Sequence, residues 1–131
     1  DYFLGHRLRF GETSKVKLLR LGLKSAGLWV RPVHEAWDIQ GKVGELKYPI
    51  DHYPHPTIRE FWAEINRYAT LEARFRRVNR FRNLLELFLF PPAKFIYNYF
   101  FLLGILDGLP GLIMASMMSL HSLLVRLRRP V

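Results

Sequence analysis

"TIREFWAEINRYATLEARFRRVN" (57–79) is the stretch that decides how the rest of the chain is read. Thr57 follows Pro56, and Glu60 stands at the spacing where a threonine hydroxyl and a glutamate carboxylate satisfy each other's free N–H groups at a helix start. Ile58, Phe61, Trp62, Ile65, Tyr68, Ala69 and Ala73 then recur at three-to-four spacing, while Glu60, Glu64, Arg67 and Arg74 fall largely elsewhere. The pattern predicts one long amphipathic helix whose apolar stripe packs on a core.

Working outward from that helix, the sequence divides into three parts: 1–55, 56–80 and 81–131. The first is mixed and glycine-containing. Within it "VKLLRL" (16–21), "GLWV" (27–30) and "VGELKYPI" (43–50) predict short strands separated by glycine turns. The last part is apolar and aromatic. "NLLELFLFPPAKFIYNYFFLLGILDG" (83–108) is broken by Pro91, Pro92 and Lys94, which favours a segment lying along lipid headgroups with its aromatic rings immersed. Residues 109–125 carry no formal charge over 17 positions, and His121 is their only titratable group. That is short of the roughly 20 residues a spanning helix needs, so a short span, a re-entrant hairpin and a helix buried against its neighbour all remain open. The expected class is α+β: a few short strands, a long amphipathic helix, then apolar membrane-associated helices.

At 131 residues the chain has the length of one domain with a real core. Its net charge of +9 calls for an anionic partner. Lysine and arginine dominate 7–31 and 74–82 and return as Arg126, Arg128 and Arg129, so basic clusters flank the apolar block. That arrangement suits an anionic membrane surface; nucleic-acid binding rests on charge alone and is not expected. The absence of cysteine excludes disulfides and thiolate metal sites. No export signal is expected from the first residues, which lack a charged-then-apolar leader.

The common short catalytic motifs, including the P-loop, GxGxxG, HExxH and GxSxG, do not occur, and neither does DxD. His34 and Glu35 close a predicted strand pair, where a carboxylate within reach of a hydroxyl would act as general base; the alternative is a surface turn with one solvated carboxylate. Arg20, set among leucines, either grips a phosphate or forms a structural ion pair. "DHYPHP" (51–56) places two histidines before a helix N-terminus, a location that favours anions, or else forms a proline-rich turn. Asn66, Arg67 and Tyr68 lie within the long helix, Tyr68 on its core side and Arg67 in solvent.

Six elements in order carry a resemblance: "YFLGHRLRFG", "KLLRL", "GLWVRPVHE", "GKVGELKYPIDHY", "INRYATLEA" and "ILDGLPGL". Together they resemble the C-terminal half of bacterial family-2 glycosyltransferases, in the lipopolysaccharide-core glucosyltransferase-like subgroup, over nearly the whole chain. The resemblance implies the C-terminal part of a GT-A (Rossmann-like) fold and inverting transfer from a nucleotide-sugar donor to a lipopolysaccharide-core or lipid-linked acceptor. It implies a divalent metal, magnesium or manganese, held by a DxD motif in the nucleotide-binding half, which precedes the region matched here. It places the base at Glu35 with His34 beside it, and Arg20 on the site wall, although "RLGL" here stands where the family has "RLFR". His52, Tyr53, Asn66, Arg67 and Tyr68 match family positions that line the acceptor side or fasten the long helix to the sheet. Asp107–Gly108 matches a turn. The implied location is the cytoplasmic face of the bacterial inner membrane, bound peripherally or by a short span. A non-catalytic, basic membrane-surface module is the competing expectation.

Overall fold

The computed structural model describes residues 1–14, 16–30, 36–75 and 77–130. The decisive helix, α1, spans Ile58–Phe75. Its reciprocal cap is in place: Thr57 N–H donates to Glu60 Oε2 at 3.1 Å, and Glu60 N–H donates to Thr57 Oγ1 at 3.2 Å. Phe61, Ile65, Ala69 and Ala73 are buried as the stripe predicts, but Ile58 and Trp62 at its N-terminal end stay exposed. The helix therefore buries a narrower face than its pattern offers.

The helix α2 covers Arg80–Ile96, with Asn79 as its cap through Oδ1 and the Arg82 N–H at 2.8 Å. The proline pair does not break it. Pro91 and Pro92 each remove one ladder bond, a loss that ordinarily kinks a helix. Here Pro91 is buried and its carbonyl accepts a hydrogen bond from Ser119 Oγ at 2.7 Å, which fastens the weakened turn to the neighbouring helix. A π-helical turn, Tyr97–Phe101, and a 3-10 turn, Gly104–Asp107, lead into α3, Gly108–Arg128. The reversal is tight. A Cβ at Gly111 would come within 2.0 Å of the Gly104 carbonyl oxygen, so only glycine lets α3 approach that turn.

α3 packs against both α1 and α2, and only a minority of its positions face outward. Two small antiparallel sheets complete a mixed α/β architecture. In the first, β1 (Tyr2–Phe3) pairs with β2 (His6–Arg7) through Leu4 and Gly5, both at positive φ (49° and 75°), the backbone of a tight two-residue hairpin. Phe3 and Leu8 from this hairpin join Phe61, Ile65 and Met114 in the core, and the Phe3 and Phe61 rings meet edge to face at 5.4 Å. The second sheet pairs β3 (Gly27–Val30) with β4 (Ala36–Ile39), stacking Trp29 on Trp37 across the strands.

Of the three expected strands, only 27–30 forms. Residues 16–21 and 43–50 enter no ladder and lie mostly exposed, joined by the surface pair Lys17–Glu45 at 2.5 Å. An alternating pattern makes a strand only where a partner edge is available, and β3 takes β4 instead.

Candidate functional site

The N-terminal segment is held to the far end of the chain by two buried polar side chains. Asp107, 4% exposed, accepts the N–H groups of Arg9 (3.1 Å to each oxygen) and Phe10 (2.9 Å). Asn98 accepts the Glu12 N–H through Oδ1 at 3.0 Å and donates from Nδ2 to the Lys94 carbonyl at 3.0 Å. The Gly11 N–H donates to the Leu102 carbonyl at 2.9 Å. These bonds satisfy backbone donors that burial would otherwise strand. They also bring Glu12 beside Lys94, whose Nζ lies 2.6 Å from Glu12 Oε2.

That contact forms one wall of a cavity of about 660 Å³ between the three helices. From α1, Glu64, Tyr68 and Glu72 face it at intervals of four, one stripe of the helix. From α2 come Phe90 and Lys94, and from the turn after it Tyr97; from α3 come His121, Ser122 and Arg126, with Arg129 just past its end. Each imidazole has a carboxylate neighbour: His55 Nδ1 lies 3.3 Å from Glu64 Oε2, and His121 Nε2 lies 3.8 Å from Glu72 Oε2. Burial pushes the His55 imidazole below its ordinary pKa, against the upward pull of Glu64.

The other end is cationic. Arg129 Nη1 donates to Glu86 Oε2 at 2.6 Å and Arg82 Nε to Glu86 Oε1 at 2.9 Å, with Arg126 Nε 3.7 Å away. Hydrogen bonds from Arg129 and Arg82 hold the Glu86 carboxyl down to about 2. Arg126 also donates to the Ser122 carbonyl (2.8 Å) and Oγ (2.7 Å), and its guanidinium stands 4.3 Å from the Phe90 ring centre. Arg126 and Arg129, expected to form a basic flank for an anionic surface, are thus buried in an ion network.

The residues singled out in the sequence are dispersed. Tyr68 lines the cavity. Arg67 is exposed and lies over the Tyr68 ring at 4.6 Å. Asn66 binds Arg128, accepting Nη2 at Oδ1 (2.7 Å) and Nη1 at its carbonyl (2.8 Å), and so ties α1 to the end of α3. His52 and Tyr53 face the first two residues: His52 Nδ1 lies 2.8 Å from Asp1 Oδ1, and Tyr53 stacks on Tyr2 at 4.7 Å. Arg20 is exposed. His34 and Glu35 lie outside the described residues; in chain order they stand between β3 and β4. The cavity itself escaped sequence reasoning, although Glu64, Tyr68 and Glu72 at fourfold spacing and His121–Ser122 inside an uncharged run were its signals.

The cavity does not fit a divalent metal. Its carboxylates are engaged with imidazole or ammonium groups, and among the described residues no three acidic or histidine side chains converge on one point. Compared with known protein families, with curated proteins and with solved structures, the chain matches none of them.

Proposed function

We propose that the chain is the acceptor-side, membrane-bound part of an inverting glycosyltransferase that moves a sugar from a nucleotide-sugar to a lipopolysaccharide-core or lipid-linked acceptor. The observation that carries the reading is the polarity of α2, which is inverted. Phe81, Leu84, Leu85, Phe88, Leu89 and Ile96 are exposed on one face, whereas Glu86 is buried on the other, and Asn98 is buried just past the helix end. The outward surface continues through Phe100, Phe101, Leu103, Ile105, Leu106 and Leu109. A contiguous apolar face of this extent marks a membrane or partner surface. The aromatic content and the net charge of +9 favour an anionic bilayer.

The same geometry favours peripheral binding over a span. Gly104–Arg128 is long and apolar enough to cross a membrane, but α3 is wedged between α1 and α2, and α1 is an ordinary amphipathic helix. An enzyme confined to the surface that holds its lipid-borne acceptor gains in encounter rate and effective concentration.

The sugar-transfer part of the reading comes from the ordered motifs. In it, Glu35 takes the proton of the acceptor hydroxyl while that oxygen attacks the anomeric carbon and the nucleoside diphosphate departs with the bonding electrons. The divalent metal that the resemblance implies belongs to the nucleotide-binding half and is assigned no residue here. The test is transfer activity of the complete parent protein with Glu35→Gln. Turnover should fall by orders of magnitude with donor binding retained, and unchanged turnover removes Glu35 from the mechanism.

The competing reading is a non-catalytic basic module that binds anionic lipid. The inverted face supports it equally, since lipid binding requires no chemistry. The two part on whether a protein containing these residues transfers sugar at all.

A further inference from the structure

The cavity between α1, α2 and α3 is open past two aromatic rings. Phe90 and Tyr97 line it, and both side chains are half exposed. A molecule with a polar head and a hydrocarbon tail could place the head among Lys94, Ser122 and Arg129 and leave the tail along Phe90, Tyr97 and the neighbouring rings. The volume, about 660 Å³, is in the range of small-ligand sites and far above what one water needs.

The chemistry of the head follows from Arg129. Its side chain is 2% exposed, deeper than those of Arg126 and Lys94. Its one charged partner among the described residues, Glu86, also receives Arg82. Its Nε–H is buried and finds no acceptor among the described residues. A buried guanidinium sharing one carboxylate and retaining an unmet donor is costly unless a second anion completes it. Phosphate oxygens suit that role, because a guanidinium presents parallel N–H donors to them. The nearby carboxylates and imidazoles, Glu64 with His55 and Glu72 with His121, offer partners for hydroxyl groups on the same head.

We propose that this cavity binds the phosphate-bearing, hydroxylated head of a lipid, whose tail leaves it along the half-exposed rings of Phe90 and Tyr97. The inference rests on the membrane-bound reading above and adds to it a head-group site. It does not depend on Glu35 or on sugar transfer.

The experiment measures partition of the 131-residue chain onto vesicles of phosphatidylcholine alone and of phosphatidylcholine containing phosphatidylglycerol. Three variants are compared with the wild type: Arg129→Gln, Arg59→Gln and Ala93→Phe. Arg59 is exposed on α1, so its loss removes the same charge without touching the cavity. Ala93 lines the cavity from an exposed position, so phenylalanine there narrows the site at constant charge and leaves the fold intact even if Arg129→Gln does not fold.

A head-group site predicts that Arg129→Gln and Ala93→Phe each lower the preference for phosphatidylglycerol vesicles about tenfold. Arg59→Gln should lower it by no more than the severalfold expected of any surface charge. If Ala93→Phe leaves the preference unchanged, or Arg129→Gln folds and behaves like Arg59→Gln, attraction is surface electrostatics and the site is refuted. If soluble glycerol phosphate abolishes the preference at concentrations that leave binding to plain vesicles intact, the head-group site is supported. If the chain binds glycerol phosphate in solution as tightly as vesicles, the lipid source is overturned. Failure to bind either vesicle overturns the membrane reading itself, a result distinct from loss of selectivity alone.

Discussion

Replacing Phe88 by glutamine tests the inverted face of α2 directly. Phe88 is 69% exposed, so its loss removes little from the folded core. Glutamine is as good a helix former as most and leaves the net charge unchanged. An aromatic side chain carries about 200 Å² of surface, so about 140 Å² of this one faces outward. At about 25 cal/mol per Å², full immersion of that area stabilises the bound state by about 3.5 kcal/mol. The partition coefficient onto phosphatidylcholine vesicles should therefore fall about three hundredfold, read by co-sedimentation or by tryptophan fluorescence titration. Ile50→Gln is the control. Ile50 is 67% exposed but lies in the segment before α1, outside α2 and the reversal that follows it. It should leave partition within about twofold of wild type, because an exposed apolar residue off the contact face transfers nothing into lipid. Equal losses in the two variants, or no loss in Phe88→Gln, would refute the assignment of this face to the membrane. Thermal melts of both variants should match the wild type and so exclude unfolding as the cause.

Asp107→Ala should lower stability by about 1–3 kcal/mol, because two part-buried backbone N–H groups, those of Arg9 and Phe10, lose their acceptor; hydrogen exchange should rise selectively at those amides. Glu86→Gln should destabilise by about 3–5 kcal/mol, since Arg129 is left buried without its counter-charge. The pH signature follows from the depressed carboxyl, held at about 2. The stabilisation Glu86 supplies is complete above its ordinary carboxylate pKa and is lost as pH falls toward about 2, so wild-type melting temperature should drop across that window by more than the variant's. Gly111→Ala should cost about 1–3 kcal/mol and loosen the α2–α3 reversal, because its Cβ would meet the Gly104 carbonyl oxygen at 2.0 Å.

What was legible in the sequence is what is decided locally. The Thr57–Glu60 cap and the stripe through Phe61, Ile65, Ala69 and Ala73 depend on residues within one helix, and each stands where the spacing put it. The strands at 16–21 and 43–50 failed because a strand needs a distant partner, and no local pattern guarantees one. The Pro91–Pro92 pair misled for a related reason. Its compensating bond comes from Ser119, 28 positions away. The cavity was least legible of all. Arg126 and Arg129 read in sequence as a basic flank of the apolar block, and it is the approach of Glu86 from α2 that engages them in the interior. A charge's surroundings depend on tertiary packing, which residue spacing does not encode.

The bonds from Asp107 and Asn98 to residues 9–12 make the first segment and the last helical reversal a single mechanical piece, although about 90 positions separate them. Cutting the exposed backbone between 40 and 53 would sever the chain without releasing either fragment. The short N-terminal hairpin would travel with α2 and α3, as a plug does with its socket. A protein nicked there should still migrate as one body under native conditions and come apart only in denaturant. For any larger protein built on this chain, whatever is joined ahead of Asp1 would be carried at a fixed place relative to that reversal, because its point of attachment is rooted there.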